Sequence, residues 1–209
     1  MSRRLNLEGH TLRKKSHISL AGYLMNNMKV EGLREHRKAF MIGSILPDCV
    51  PSFLTKRHTI NETFEILRNE IRRITEDYNA EKGINGYYCR HLGVITHYIA
   101  DYFTFPHNET FRGTIREHCV YEKELKDTFR AYVESGEADR IREKNGTFKT
   151  VEEICQFIKL MHEKYLEAVS AVKEDCLYIV ELCYRVVDAI LQIFELKHYN
   201  NVEAAAYEY

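Results

Sequence analysis

Residues 91–108 read HLGVITHYIADYFTFPHN, and this stretch carries both the helical period and the chemistry of the chain. Its pattern predicts a helix from about Gly86 to Phe103, stopped before Pro106. His97 and Asp101 are four residues apart, so on a helix they share a face and can grip one ion. Gly93 lies one turn earlier on that face and leaves room for something to approach the backbone. His107 follows beyond the break at Pro106. His118 and Glu122 then form a second pair at the same spacing on the next helix. Two antiparallel helices joined by a short loop can bring both pairs to one end of a bundle. Either pair alone would more often be a surface or core contact, and His107 alone a solvated loop residue. Five such residues in the order HxxxD, H, HxxxE are much harder to assign to chance. Imidazole and carboxylate are the ligands of a zinc or similar divalent site without thiolates.

Outward from this stretch, patterns of period 3.6 recur almost throughout, and clear period-2 strands are hard to find. A first helix is expected from about Ser16, an N-cap before His17, to Met28. A second covers about Leu33 to Ile45 and ends at Pro47-Asp48-Cys49-Val50-Pro51, where two prolines force an irregular connection. Ile60, Phe64, Leu67, Ile71 and Ile74 mark a long amphipathic helix. The helix bearing His118 and Glu122 is expected over about Glu109 to Ser135. After a turn at Asn145-Gly146, two further helices cover about Val151 to Val169 and Lys173 to Lys197. The reading is a single all-α bundle over residues 16–199, with a basic tail at 1–15 and a flexible tail at 200–209.

Composition narrows the classes. The 209 residues are 44% hydrophobic, enough to bury one core without disulfides. A formal net charge of −1 gives no case for nucleic acid as the main partner. The longest apolar helical pattern, Val172 to Phe194, is interrupted by Glu181, Arg185 and Asp188, so it reads as a buried amphipathic helix and no transmembrane segment is expected. The basic segment Met1 to Lys15 lacks the apolar stretch of an export signal. The chain is therefore expected to be cytoplasmic, with its six cysteines reduced and, lacking any CxxC pair, no zinc ribbon. In such a chain the Asn-x-Thr sequences at Asn61, Asn108 and Asn145 carry no weight.

The spacing His97-x3-Asp101-x5-His107-x10-His118-x3-Glu122 resembles the bacterial zinc-dependent phospholipase C family, which is related to the S1/P1 nucleases. The resemblance extends upstream to His17 near the start of the first helix, Asp48 in a Pro-Asp loop and His58 opening the next helix, and covers about residues 16 to 130. It implies a helical bundle holding two zinc ions and a third. Asp48, His58, His97 and Asp101 would hold the first, and His107, His118 and Glu122 the second. His17 would hold the third, with Asp101 as a bridge. It also implies a hydrolase that cleaves a phosphoester with an activated water, Asp48 accepting the proton or serving only as a ligand, and a phospholipid as one candidate substrate. Members of the family are exported, and a mature N-terminal Trp completes their third site. This chain has no Trp. His10, seven residues before His17, is a candidate replacement, although a tail residue is the simpler reading.

Three other functions compete with phospholipase C-like hydrolysis. They are a nuclease, a phosphatase acting on a soluble phosphoester, and a non-catalytic metal-binding or partner-binding relic of the fold. A phosphohydrolase of the HD type is set aside, because no His is followed directly by Asp. Beyond about residue 150 the pattern gives two more helices and no β-domain for membranes. His91, six residues before His97, is expected to point elsewhere on the helix, as a polar neighbour or a group supporting a ligand, and His36, His162 and His198 to be surface residues. Tyr98, Tyr102, Phe103 and Phe105 are expected in the core and not around a substrate slot.

Overall fold

Helix α5 (Gly86–Tyr102) starts where the Asn85 side chain accepts the Tyr88 N–H at 3.1 Å. From Leu92 to Tyr102 every side chain is buried, the mark of a helix enclosed on all sides. Around it pack α3 (Arg37–Gly43), α4 (Ile60–Thr75) and α8 (Val172–Ala206). Helix α1 (Ser2–Asn27) pairs with α6 (Ile115–Glu134), which also lies on α8, while α7 (Val151–Ala168) touches α4 and α8. The five-residue α2 (Glu31–Glu35) leads into α3. This computed structural model describes residues 2–50, 56–137, 147–168 and 171–206, with side chains described from 14 to 199 within those ranges. Among them there is no strand, and no helix is long and apolar enough to cross a membrane.

Two glycines set how closely α3 approaches α5. A Cβ on Gly93 would lie 2.3 Å from the Phe40 carbonyl oxygen, and one on Gly43 would lie 2.0 Å from that of Arg90. The two helices therefore meet backbone to backbone. What Gly93 makes room for is α3.

The middles of the expected helices hold, and the ends move for local reasons. Helix α1 begins at Ser2, not near Ser16, because residues 3–15 are rich in Arg, Lys and Leu and free of proline. The stretch expected as one helix from Leu33 breaks at His36 (φ −104, ψ 24) into α2 and α3. Helix α6 starts at Ile115, not Glu109. Thr114 and Glu117 form a capping box there, and the preceding residues are spent on a 3₁₀ turn at Phe105–His107 and the loop after it. Helix α8 continues past Lys197 to Ala206, through three alanines of high helix propensity. The expected turn at Asn145-Gly146 and Pro51 lie outside the described residues, as does the His10 side chain. All six cysteines are free.

Candidate metal centre

Each expected ligand is delivered by an identifiable local device. Pro47 drives a 3₁₀ turn, Leu46–Asp48, that carries the Asp48 carboxylate inward. Thr59 caps α4, accepting the Glu62 N–H, and so places His58 at that helix's entrance. Helix α5 contributes His97 and Asp101 from one face. The turn Phe105–His107 brings His107 back over the end of α5, and α6, begun by the Thr114–Glu117 capping box, carries His118 and Glu122. His17 comes from the middle of α1.

These residues form two adjoining clusters. In the first, Asp101 Oδ2 lies 2.9 Å from His58 Nδ1 and 3.1 Å from His97 Nε2, and those two nitrogens are 3.1 Å apart. Asp101 Oδ1 is 3.2 Å from His17 Nε2, and the His17 ring stacks on His97 at 4.0 Å. Asp48 Oδ1 stands 3.8 Å from His58 Nδ1 and 4.0 Å from His97 Nε2. In the second cluster, Glu122 Oε1 is 2.8 Å from His118 Nε2 and 3.4 Å from His107 Nε2. The other nitrogen of His107, Nδ1, is 3.9 Å from Asp101 Oδ2. Asp101 and His107 thus join the clusters. His17 lies close to Asp48 and His97 as well as to Asp101.

The electrostatics follow from burial and crowding. Burial works against ionising Asp101, but His107, His97 and His17 outweigh it and hold the carboxyl well below the usual range. Burial also lowers the pKa of His97, yet Asp101 and Asp48 overcome it and the net shift is upward. For His17, burial and then His97 prevail, and its pKa falls.

Three observations test whether these residues fit a cation. His97 Nδ1–H donates to the Ser44 carbonyl at 2.8 Å, which turns the Nε2 lone pair into the cluster. Asp48 Oδ2 is buried with no hydrogen-bond partner, an expensive arrangement unless a cation answers it. A cavity of about 40 Å³ lies between the clusters, lined by His17, Asp101, His107 and Glu122 and closed by Leu20, Leu125 and Phe129. That exceeds the ~10–15 Å³ a water-sized occupant needs. Nitrogen and oxygen donors without thiolate suit zinc. The residues fit.

Sequence reasoning missed or misplaced others. His162 was expected on the surface but is buried, because α7 turns it inward, and its Nε2 bonds the Asn108 Oδ1 at 2.7 Å. Asn108 in turn donates to the Tyr102 and Thr104 carbonyls at the end of α5. His91 points away from the clusters and pairs with Glu70. His36 is half-buried, while His198 is exposed as expected. Tyr98, Tyr102 and Phe103 are core residues as expected, whereas Phe105 is only half-buried. Asp175, fully buried on α8, gave no signal beyond being an acid at the head of an apolar run.

An all-helical frame that gathers five imidazoles and three carboxylates into adjoining clusters defines a class, helical proteins built around clusters able to hold divalent ions. Within that class the chain belongs to the zinc-dependent phospholipase C family, whose model matches residues 16–172. The match takes in all eight clustered residues. Comparison with curated proteins and with solved structures gave no match.

Proposed function

We propose that this chain is a zinc-dependent phosphoesterase that hydrolyses a phosphodiester in the manner of a phospholipase C. The observation that carries the reading is the position of Asp101, whose two oxygens reach His17, His58 and His97 while His107 ties it to Glu122. Asp48, His58, His97 and Asp101 would hold one ion, His107, His118 and Glu122 a second, and His17 with Asp101 would serve a third. Zinc held there supplies Lewis acidity, bringing the pKa of water to about 7 and offsetting phosphate charge.

The chain's own residues do the rest. Asp48 holds its carboxylate beside His58 and His97, at the edge of the first ion position, and is suited there to take a proton from the attacking water. A new P–O bond forms to that water, the P–O bond to the alcohol breaks, and the leaving oxygen takes up a proton from solvent while Asp48 returns to solvent the one it accepted. Ser44 orients His97 through its carbonyl. A cleft of about 740 Å³ runs beside His107, with Lys56 and Lys159 for phosphate and Phe64 and Leu166 for apolar substrate parts.

The test is turnover by zinc-loaded protein on bis-p-nitrophenyl phosphate and on phosphatidylcholine vesicles. The reading expects p-nitrophenol from the first, and phosphocholine with diacylglycerol from the second. Turnover of the soluble ester alone would keep the phosphoesterase and remove the lipid. No turnover of either would favour a metal-binding protein without catalysis.

A further inference from the structure

Asp175 sits in the first turn of α8 and is fully buried, outside the metal clusters themselves. Its carboxylate accepts three hydrogen bonds, each from a different element. Phe105 N–H reaches Oδ2 at 2.9 Å, Tyr121 O–H reaches Oδ2 at 2.9 Å, and Tyr165 O–H reaches Oδ1 at 2.7 Å. The donors are neutral, and burial still pushes the carboxyl up to about 6. Apolar side chains join helices without that penalty, so what this carboxylate holds together matters.

Two of its three partners flank residues of the second cluster. Phe105 lies two residues before His107, in the same three-residue 3₁₀ turn. Tyr121 immediately precedes Glu122 on α6 and is one turn from His118. One oxygen, Oδ2, receives both of these donors. It therefore ties the turn carrying His107 to the helix carrying His118 and Glu122. The turn's other end is fixed separately, through Asn108 and His162. The partner on α7, Tyr165, touches Oδ1 and lies beside the His162 ring.

We infer that Asp175 is a positioning residue for the second metal position, setting its ion affinity by locking the His107 turn to the helix of His118 and Glu122. The inference rests on the metal-centre reading above. Asn at this position preserves the shape and can keep one oxygen toward Phe105 and Tyr121, but that oxygen is uncharged, and bonds to a neutral acceptor are roughly half as strong as those to a carboxylate, so the clamp is weakened. Ala removes the clamp outright.

The experiment is calorimetric zinc titration of the full chain after chelator treatment and dialysis, with ion counts by elemental analysis and helicity by circular dichroism. The step belonging to the second position is the one that His118→Ala abolishes. Asp175→Asn and Tyr121→Phe are expected to weaken that step about 10–100-fold, the range for residues that orient ligands. The other step and the helicity stay as in wild type. If Asp175→Ala fails to fold, Asp175→Asn decides. Wild-type affinities at both steps in Asp175→Asn, or a parallel loss at both, overturns the inference alone. A wild type that binds no second ion overturns the metal-centre reading, and the inference with it.

Discussion

Asp101 is the residue on which the centre depends most, because it faces three imidazoles directly and a fourth at 3.9 Å. Asp101→Asn keeps the shape and removes the charge that offsets adjacent cations, whose repulsion at short range is strong. Phosphodiesterase activity is expected to fall at least about a hundredfold, while circular dichroism shows the helices retained. Asp175 yields a prediction of a different kind. Its carboxyl is raised to about 6 in the folded protein, whereas the unfolded chain has the ordinary value of 3.8. The folded state therefore binds the proton more tightly. The group's contribution is full below about pH 4 and is lost as pH rises through 6, a swing on the order of 3 kcal/mol. The stability of wild type relative to Asp175→Asn should fall by that order between pH 4 and 7 in urea titrations; a flat difference would contradict the buried, ionisable carboxyl. Residues such as His97, Asp101, His118 and Glu122 were legible in the sequence because spacing of four fixes a shared helical face. Asp175 and His162 were not, since only packing against other helices decides whether a lone polar side chain on an amphipathic helix is turned inward.

Among the elements, the pairing of α3 with α5 controls the first cluster, because it presents the Ser44 carbonyl to His97. Gly93→Ala puts a methyl 2.3 Å from the Phe40 carbonyl oxygen, a backbone atom that cannot step aside alone. Destabilisation near the top of the usual ~1–3 kcal/mol for overpacking is expected, together with weaker binding of the first ion. Urea denaturation and zinc titration of the same preparation read both. At α6 the capping box is local and exposed, so Thr114→Ala should cost about 1 kcal/mol without changing ion number. Helix interiors were legible because periodicity averages over several turns. Helix ends were not, because each depends on one or two residues. Thr114 with Glu117 starts α6 later than its apolar pattern suggests, and α1 extends upstream through good helix formers that carry no capping signal. The proline turns at Asp48 and His107 were legible as breaks, but their inward aim was not.

For the whole molecule, eight residues from six segments between His17 and Glu122 converge only when the bundle is assembled. Periodicity could give the all-helical class and the two pairs on α5 and α6. Bringing His17, Asp48 and His58 to the same place came from the family resemblance, since nothing local links them. Ions held by so many segments couple binding to folding. An ion present at a hundred times its Kd adds about 2.7 kcal/mol, and for a chain of this size each kcal/mol raises Tm by about 2–4 °C. Zinc should therefore raise Tm by roughly 5–11 °C per ion, and chelator should reverse it. The central claim, that these clusters form a polynuclear metal centre, is tested most directly by elemental analysis of protein purified without chelator. The account predicts at least two divalent ions per chain, with zinc foremost, and fewer in the Asp101→Asn and His118→Ala variants. Wild-type protein with well below one ion per chain, even after incubation with zinc, would contradict it.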